Sequence, residues 1–288
     1  MNKKPKKWLS LGVIIIIMLI LSMLFVKSHF SNKSKTTITI GSQATDTEVW
    51  KHIANSKVAK KYHVKIIVKD FTDSNSLNTA LSNNDIQANA FQSYAFFTTY
   101  NKNNPKRKIF ALGTTYIQPM GLYSTKYKSV KAISQNQTIA IGNDAASQSR
   151  GLKLLESAGL ITLKKHGIND LLTPNDVIKN GKNLHIKSVL STTTPSLLHD
   201  SGIAAVAIDN NTAQAAKLNV FKNSIYYEKL DQNTRANVNV IATNEKHRND
   251  STYKKLVTIY HDPTIQSWIK KHYPGKMEIK KSISDLEK

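Results

Sequence analysis

Arg150 is one of only four arginines in the 288-residue chain; the other 37 basic residues are lysines. It falls in the first turn of a predicted helix, Ser147–Ala158, where a cation opposes the helix dipole at a cost of about 0.3–1 kcal/mol. A guanidinium there is favourable when an anion lies between it and the helix amides, and its planar fork suits a carboxylate held by two parallel bonds. Taken alone, the residue is better read as a solvated surface arginine, the common fate of that residue type. Phe91, Tyr94, Phe96 and Phe97 lie where a short strand gives way to a helix. Aromatics at such spacing are usually core residues. Asp209 and Asn211 follow the apolar run Ala204–Ile208, at the carboxyl end of a predicted strand, where open α/β sheets bind ligands. The tripeptide Asp209-Asn210-Asn211 also makes a good turn. Asn237 is a polar residue entering a further strand, Val238–Ala242. The chemistry these residues suggest is the holding of a small carboxylate-bearing solute.

Nothing points to a reaction. The chain has no G-x-S-x-G, no Walker loop and no G-x-G-x-x-G, the local signatures of nucleophile elbows and phosphate cradles. Nine histidines are scattered without H-E-x-x-H or comparable spacing, and there is no cysteine. Disulfides, Cys-ligated zinc, a thiol nucleophile and a lipid-modified cysteine are therefore excluded. We expect no enzyme, no metal and no cofactor; a secreted hydrolase would rest on fold analogy alone.

Alternating strands and helices must position these residues. Strands are predicted at Thr37–Ile40, Val64–Val68, Ile86–Ala90 and Ile109–Thr115, then at Thr138–Ile141, Leu184–Leu190, Ala204–Ile208 and Val238–Ala242. Helices are predicted after a capping-box pattern at Thr45–Glu48, from Leu77, at Gln92–Tyr100 and at Ser147–Ala158, which Gly159 stops. Thr173-Pro174 and Thr194-Pro195 read as helix starts. Two C-terminal helices follow, near Ser251–Tyr260 and Pro263–Tyr273. Such alternation predicts an α/β protein with mainly parallel sheets, in two series.

The first residues set the compartment. Lys3, Lys4, Lys6 and Lys7 precede the 19-residue apolar run Trp8–Val26. As a helix that run spans roughly 28 Å, close to the ~30 Å hydrocarbon core, and no clear A-x-A cleavage site follows it. We expect an uncleaved signal anchor with its lysines inside and the body outside; a cleaved secretory signal is the alternative. Either way the body is exported, and nucleic acid is not expected as a partner. The net charge of +22 then bears on anionic surfaces instead.

Three further segments stand out in order. They are Asp85–Phe97 (DIQANAFQSYAFF), Tyr116–Ser124 (YIQPMGLYS), and Gly142-Asn143-Asp144 followed by Arg150 and by Glu156–Leu163 (ESAGLITL). Asn180–Leu184 (NGKNL) comes before another strand. With these motifs the chain resembles the methionine-binding, NlpA-type substrate-binding proteins of bacterial ABC importers, across about residues 37–273. The resemblance implies a two-lobed, type II periplasmic-binding-protein-like fold, each lobe a mainly parallel sheet flanked by helices. It implies residues 36–118 plus 238–288 as one lobe and residues 119–237 as the other; residues 1–35, expected as cytoplasmic tip, signal-anchor helix and tether, depart from the lipid-modified cysteine common in that family. It puts Phe91 and Phe96 at the ligand wall, with Arg150 and Asn237 reaching the ligand. The chain departs from the methionine pattern at Ser74, Ser93, Phe96, Asp209 and Arg235, where those proteins carry Tyr, His, Tyr, Asn and Tyr. Two lost polar aromatics widen the cleft. Asp209 suits an α-ammonium, and Arg235 either pairs with Asp209 or meets a second acidic group. The expected ligand-binding set is Arg150, Phe91, Asn237, Asp209, Ser93, Phe96, Ser74 and Asn211. The expected ligand is an amino acid, methionine or a related amino acid, or a short peptide, and the partners are an ABC permease with its ATPase and the membrane. A basic cell-surface adhesin with a degenerate pocket is the alternative.

Overall fold

Alternating β-branched residues build the first strand, β1 (Thr36–Ser42), whose Ile38 and Ile40 are fully buried, as a two-residue side-chain period requires. The computed structural model describes residues 36–168 and 170–287. β2 (Val64–Asp70), β3 (Ala88–Ser93), β4 (Phe110–Thr114), β5 (Tyr116–Ile117) and β6 (Gly121–Tyr123) follow. Then come β7 (Thr138–Gly142), β8 (Thr162–Leu163), β9 (Val177–Lys179), β10 (His185–Val189), β11 (Ile203–Ile208), β12 (Ser224–Tyr227), β13 (Asn239–Thr243) and β14 (Met277–Glu278).

Two five-stranded sheets result, ordered β2-β1-β3-β13-β4 and β10-β7-β11-β6-β12. In the first, β1 pairs in parallel with β2 and β3, and β13 runs antiparallel to β3 and β4. In the second, β7 pairs in parallel with β10 and β11, and β6 runs antiparallel to β11 and β12. The sheets are mainly parallel, as expected: four of the five strands in each run the same way, and β13 in the first and β6 in the second run against the rest. Both reversed strands, β13 and β6, lie beside the passages between the sheets. β4 and β6 flank the forward passage, and β12 and β13 flank the return. A chain that leaves a sheet without a crossover helix comes back against its neighbours' direction.

The helices cover these sheets. α1 (Ala44–Asn55) buries Val49, Trp50 and Ile53, and α2 (Lys57–Lys61) follows. α3 (Ser74–Ser82) buries Leu77 and Leu81, and α4 (Tyr94–Asn103) buries Tyr94 and Phe97. α5 (Ala145–Ser157) packs Leu152 and Leu155 with Ile139 and Ile141 in the second sheet's core. After β11 come α6 (Asn210–Ala215) and α7 (Val220–Asn223). α8 (Ser251–Tyr260) and α9 (Pro263–His272) return to the first sheet, where Leu256, Ile259, Ile265 and Ile269 join Ile38 and Trp50. Each such aliphatic side chain contributes about 1.5–3 kcal/mol by burial.

Three local expectations change. α1 begins at Ala44, and its N-cap, Gln43, makes no side-chain capping bond, so the capping box predicted at Thr45–Glu48 does not form. Thr45 and Asp46 are instead buried and engaged across the fold, as described below. α5 begins at Ala145 with Asp144 as its cap, which moves Arg150 out of the first turn and into the second. Pro195 lies inside a 3-10 segment, Ser191–His199, so Thr194 is not a helix start. The predicted anchor Trp8–Val26 lies outside the described residues. Among the described residues, no helix is long and apolar enough to cross a membrane.

Candidate functional site

The carboxyl ends of parallel strands in both sheets open onto one cavity of about 80 Å³. β1 delivers Gln43, and β3 with the start of α4 delivers Phe91, Ser93 and Phe96. β7 with α5 delivers Asp144, Ser147 and Arg150. Ser191 follows β10, while Asp209 and Asn211 follow β11. Ser74 at the start of α3, Gln118 and Met120 on the forward passage, and Asn237 and Asn239 on the return complete the wall with Gln92 and Tyr116. All eight residues singled out in the sequence, from Ser74 to Asn237, thus line one cavity. Arg235 does not.

Arg150 is largely buried and already engaged. Its Nε donates to Glu228 Oε1 at 3.2 Å and its Nη2 to Glu228 Oε2 at 2.5 Å, with side-chain exposures of 13% and 14%. Nη2 also donates to the Gln118 carbonyl at 2.7 Å. A guanidinium has five N–H donors, so this leaves the Nη1 group for anything in the cavity. The Nε–Nη2 edge, which suits a two-pronged grip on a carboxylate, holds Glu228. Glu228 is in turn saturated: Asn237 Nδ2 donates to Oε1 at 3.0 Å and the Met120 amide to Oε2 at 3.2 Å. Sequence reasoning missed Glu228. A lone glutamate after a short strand carries no local signal, and its role exists only because β12 pairs with β6.

The other carboxylates at the cavity have neutral partners. Asp144 Oδ1 accepts from the Ser147 amide at 2.9 Å and Oδ2 from the Ser191 hydroxyl at 2.6 Å. Gly142 makes the second contact possible, since a Cβ there would stand 2.4 Å from Ser191 Oγ. Asp209 caps α6, accepting from the Thr212 amide at 3.0 Å. Ser93 caps α4, and Ser74 donates to Gln43 Oε1 at 3.0 Å. Phe91 and Phe96 meet edge to face at 5.7 Å. Gln92 is fixed from behind by Asn78 and Asn89, amide to amide, at 2.8–3.0 Å.

Beside the cavity a buried ion pair joins three distant parts of the chain. Lys276 Nζ lies 2.8 Å from Asp46 Oδ1, with side chains 0% and 3% exposed. The ammonium also donates to Asn211 Oδ1 at 2.9 Å and stands 4.0 Å above the Tyr116 ring. Asp46 Oδ2 accepts from Tyr116 Oη at 2.6 Å and from Asn211 Nδ2 at 2.7 Å, and Thr45 donates to Asn211. Asn211 therefore lines the cavity with its amide committed to this network, which ties α1 to α6. Burial pushes the Lys276 ammonium below its ordinary value, against the pull of Asp46. Burial, then the Asp46 charge, holds the Tyr116 hydroxyl well above its own.

Two mixed sheets whose strand ends share a polar cleft have the architecture of a solute-binding protein. The match to known sequences places it: residues 38–281 fit the NlpA lipoprotein family, and the chain belongs to that family of substrate-binding proteins rather than enzymes. It is 32% identical to the methionine-binding lipoprotein MetQ of Bacillus subtilis (strain 168), over 84% of this chain and 86% of that one. Among solved structures it resembles protein PG110 from Staphylococcus aureus, with a TM-score of 0.81 and 34% identity over 87% of this chain and 97% of that one. It also resembles a nutrient-binding protein from Burkholderia cenocepacia bound to methionine, with a TM-score of 0.78 and 34% identity over 84% and 99%. The family resemblance read from the motifs is thereby confirmed.

Proposed function

We propose that the chain is the extracytoplasmic solute-binding protein of an ABC importer. It takes an amino acid, methionine or a relative, or a short peptide between two lobes, residues 36–118 with 238–288 and residues 119–237. Closure on the solute presents the pair of lobes to a membrane permease whose ATPase supplies the energy. The observation that carries this reading is the convergence of strand ends from both sheets on one cavity, with Arg150 offering its Nη1 group and Asp209 a carboxylate. At about 10–15 Å³ for each water-sized occupant, the cavity volume of about 80 Å³ accommodates the core of an α-amino acid. A longer side chain has the adjoining cavity of about 390 Å³, which shares Ala146, Arg150 and Asn237 with the first. The run Trp8–Val26 would hold this body at the outer face of the membrane, in place of the lipid that a chain without cysteine does not carry there.

The test is a thermal-shift screen of the detergent-solubilised full chain against the L-amino acids and a set of dipeptides. A solute at a hundredfold excess over Kd adds about 2.7 kcal/mol to stability, so at least one should raise Tm by several degrees. No shift across the panel, together with salt-sensitive binding to an anionic polymer, would select the adhesin reading instead.

A further inference from the structure

We infer that the solute this cleft selects is an α-amino acid carrying a second cationic group, so that it enters with net positive charge. The inference rests on the solute-binding reading above and adds the class of solute.

The charges around the cavity do not balance. Among the described residues the cations beside it are Arg150, on its wall, and Lys276, against Asn211 and Tyr116. Both are taken: Arg150 is bound to Glu228 and Lys276 to Asp46. Asp144 and Asp209 face the same space, and no cation of the described residues stands within ion-pairing distance of either. They follow β7 and β11, which are adjacent parallel strands of one sheet, so the two carboxylates arise side by side. Each caps a helix, and a helix amide holds one oxygen of each. The helix termini offset part of each charge, weakly for the six-residue α6. Ser191 holds the second oxygen of Asp144. No donor of the described residues reaches Oδ2 of Asp209, and Asp209 lines the cavity. Lys276 feels the charge of Asp209, but its ammonium is fixed on Asp46 and Asn211.

A neutral amino acid brings one charge of each sign. Its carboxylate meets Arg150 Nη1, and its ammonium meets one aspartate. The other aspartate is then shut into a closing cleft with only a helix terminus and neutral donors to offset its charge, and an unpaired carboxylate taken out of water is costly. A second ammonium or guanidinium on the solute removes that cost.

The experiment is calorimetric titration of the detergent-solubilised full chain with L-lysine, L-methionine and L-norleucine, the last having the four-carbon chain of lysine without its ammonium. Lysine should bind roughly thirtyfold or more tightly than norleucine, the ratio typical of one desolvated charged contact. Asp209→Asn keeps a competent N-cap, so its melting curve should stay cooperative, while the lysine-to-norleucine ratio falls tenfold or more. Methionine or norleucine binding as tightly as lysine would overturn the inference and leave the solute-binding reading standing. A lysine preference unchanged in Asp209→Asn would also overturn it, since the selecting charge would then lie elsewhere. Failure of every amino acid and dipeptide to bind overturns both.

Discussion

Arg150 and Glu228 meet fork to fork, Nε to Oε1 at 3.2 Å and Nη2 to Oε2 at 2.5 Å, with Asn237 and the Met120 amide closing the remaining lone pairs of the carboxylate. The pair joins α5 to the end of β12 and to both passages between the sheets. Arg150 is thus held in place before any solute arrives, and its affinity for a carboxylate is tempered by the one it already has.

That relationship predicts coupled behaviour. Arg150→Ala should lower solute affinity by 2–5 kcal/mol, about thirtyfold or more. It should also lower stability, because it strands Glu228. Glu228→Gln should destabilise the empty protein by about 3 kcal/mol and enlarge the stabilisation that solute provides, since the solute carboxylate replaces the lost counter-charge. Chemical denaturation of both single variants and the double variant, with and without solute, measures the coupling. We expect about 1–3 kcal/mol; strict additivity would show that the pair is not a unit.

Lys276 and Asp46 make a second case. Lys276→Met leaves Asp46 buried against Tyr116 and Asn211 without a cation, and such a loss typically costs 3–5 kcal/mol. The same change at Lys280, whose side chain is 60% exposed beside Glu278, should cost under 1 kcal/mol. Denaturation midpoints of the two variants compare them directly, and equal midpoints would remove the structural role of the buried pair.

Alkaline pH should weaken the fold. Burial, then the Asp46 charge, raises the hydroxyls of Tyr116 and Tyr260 well above their ordinary value. Below about pH 10, the pKa of a free tyrosine, folded and unfolded chains both keep these protons and the two groups impose no slope. Above it the unfolded chain releases protons that the folded chain retains, so stability falls as pH rises. Lys276, lowered chiefly by burial, acts oppositely: its contribution rises with pH from its lowered value up to about 10.4. Guanidinium midpoints from pH 8 to 11 should therefore peak near 10 and then drop. Tyr260→Phe should flatten the drop, and an unchanged slope would discard the assignment.

The N-terminal run makes a cellular prediction. If Trp8–Val26 is an uncleaved anchor, the full-length protein stays with the membrane fraction after high-salt and alkaline washes. A shorter mature form released into the medium would identify it as a cleaved signal.

Much of the architecture was legible because local patterns coincided with it. α8 runs over Ser251–Tyr260 as its spacing predicts, and β11 extends the apolar run Ala204–Ile208 by one residue. The start of α1 was misread because Thr45 and Asp46 look like caps, yet their side chains find partners in α6 and near the C-terminus. Such partners lie far off in sequence and leave no periodic trace.

The sequence alone determined the family, the alternation of strands and helices, and the eight residues that line the cavity. Each is carried by order and spacing within short segments. Only the tertiary structure decided that Glu228 occupies Arg150, that Arg235 stands apart from the cavity, and that Asn211 is committed to Asp46 and Lys276. Those facts depend on which strands become neighbours when the chain passes between sheets and returns. Charge pairing is a matter of ångströms in space, and positions 78 residues apart in the chain, as Arg150 and Glu228 are, carry no local sign that they will meet.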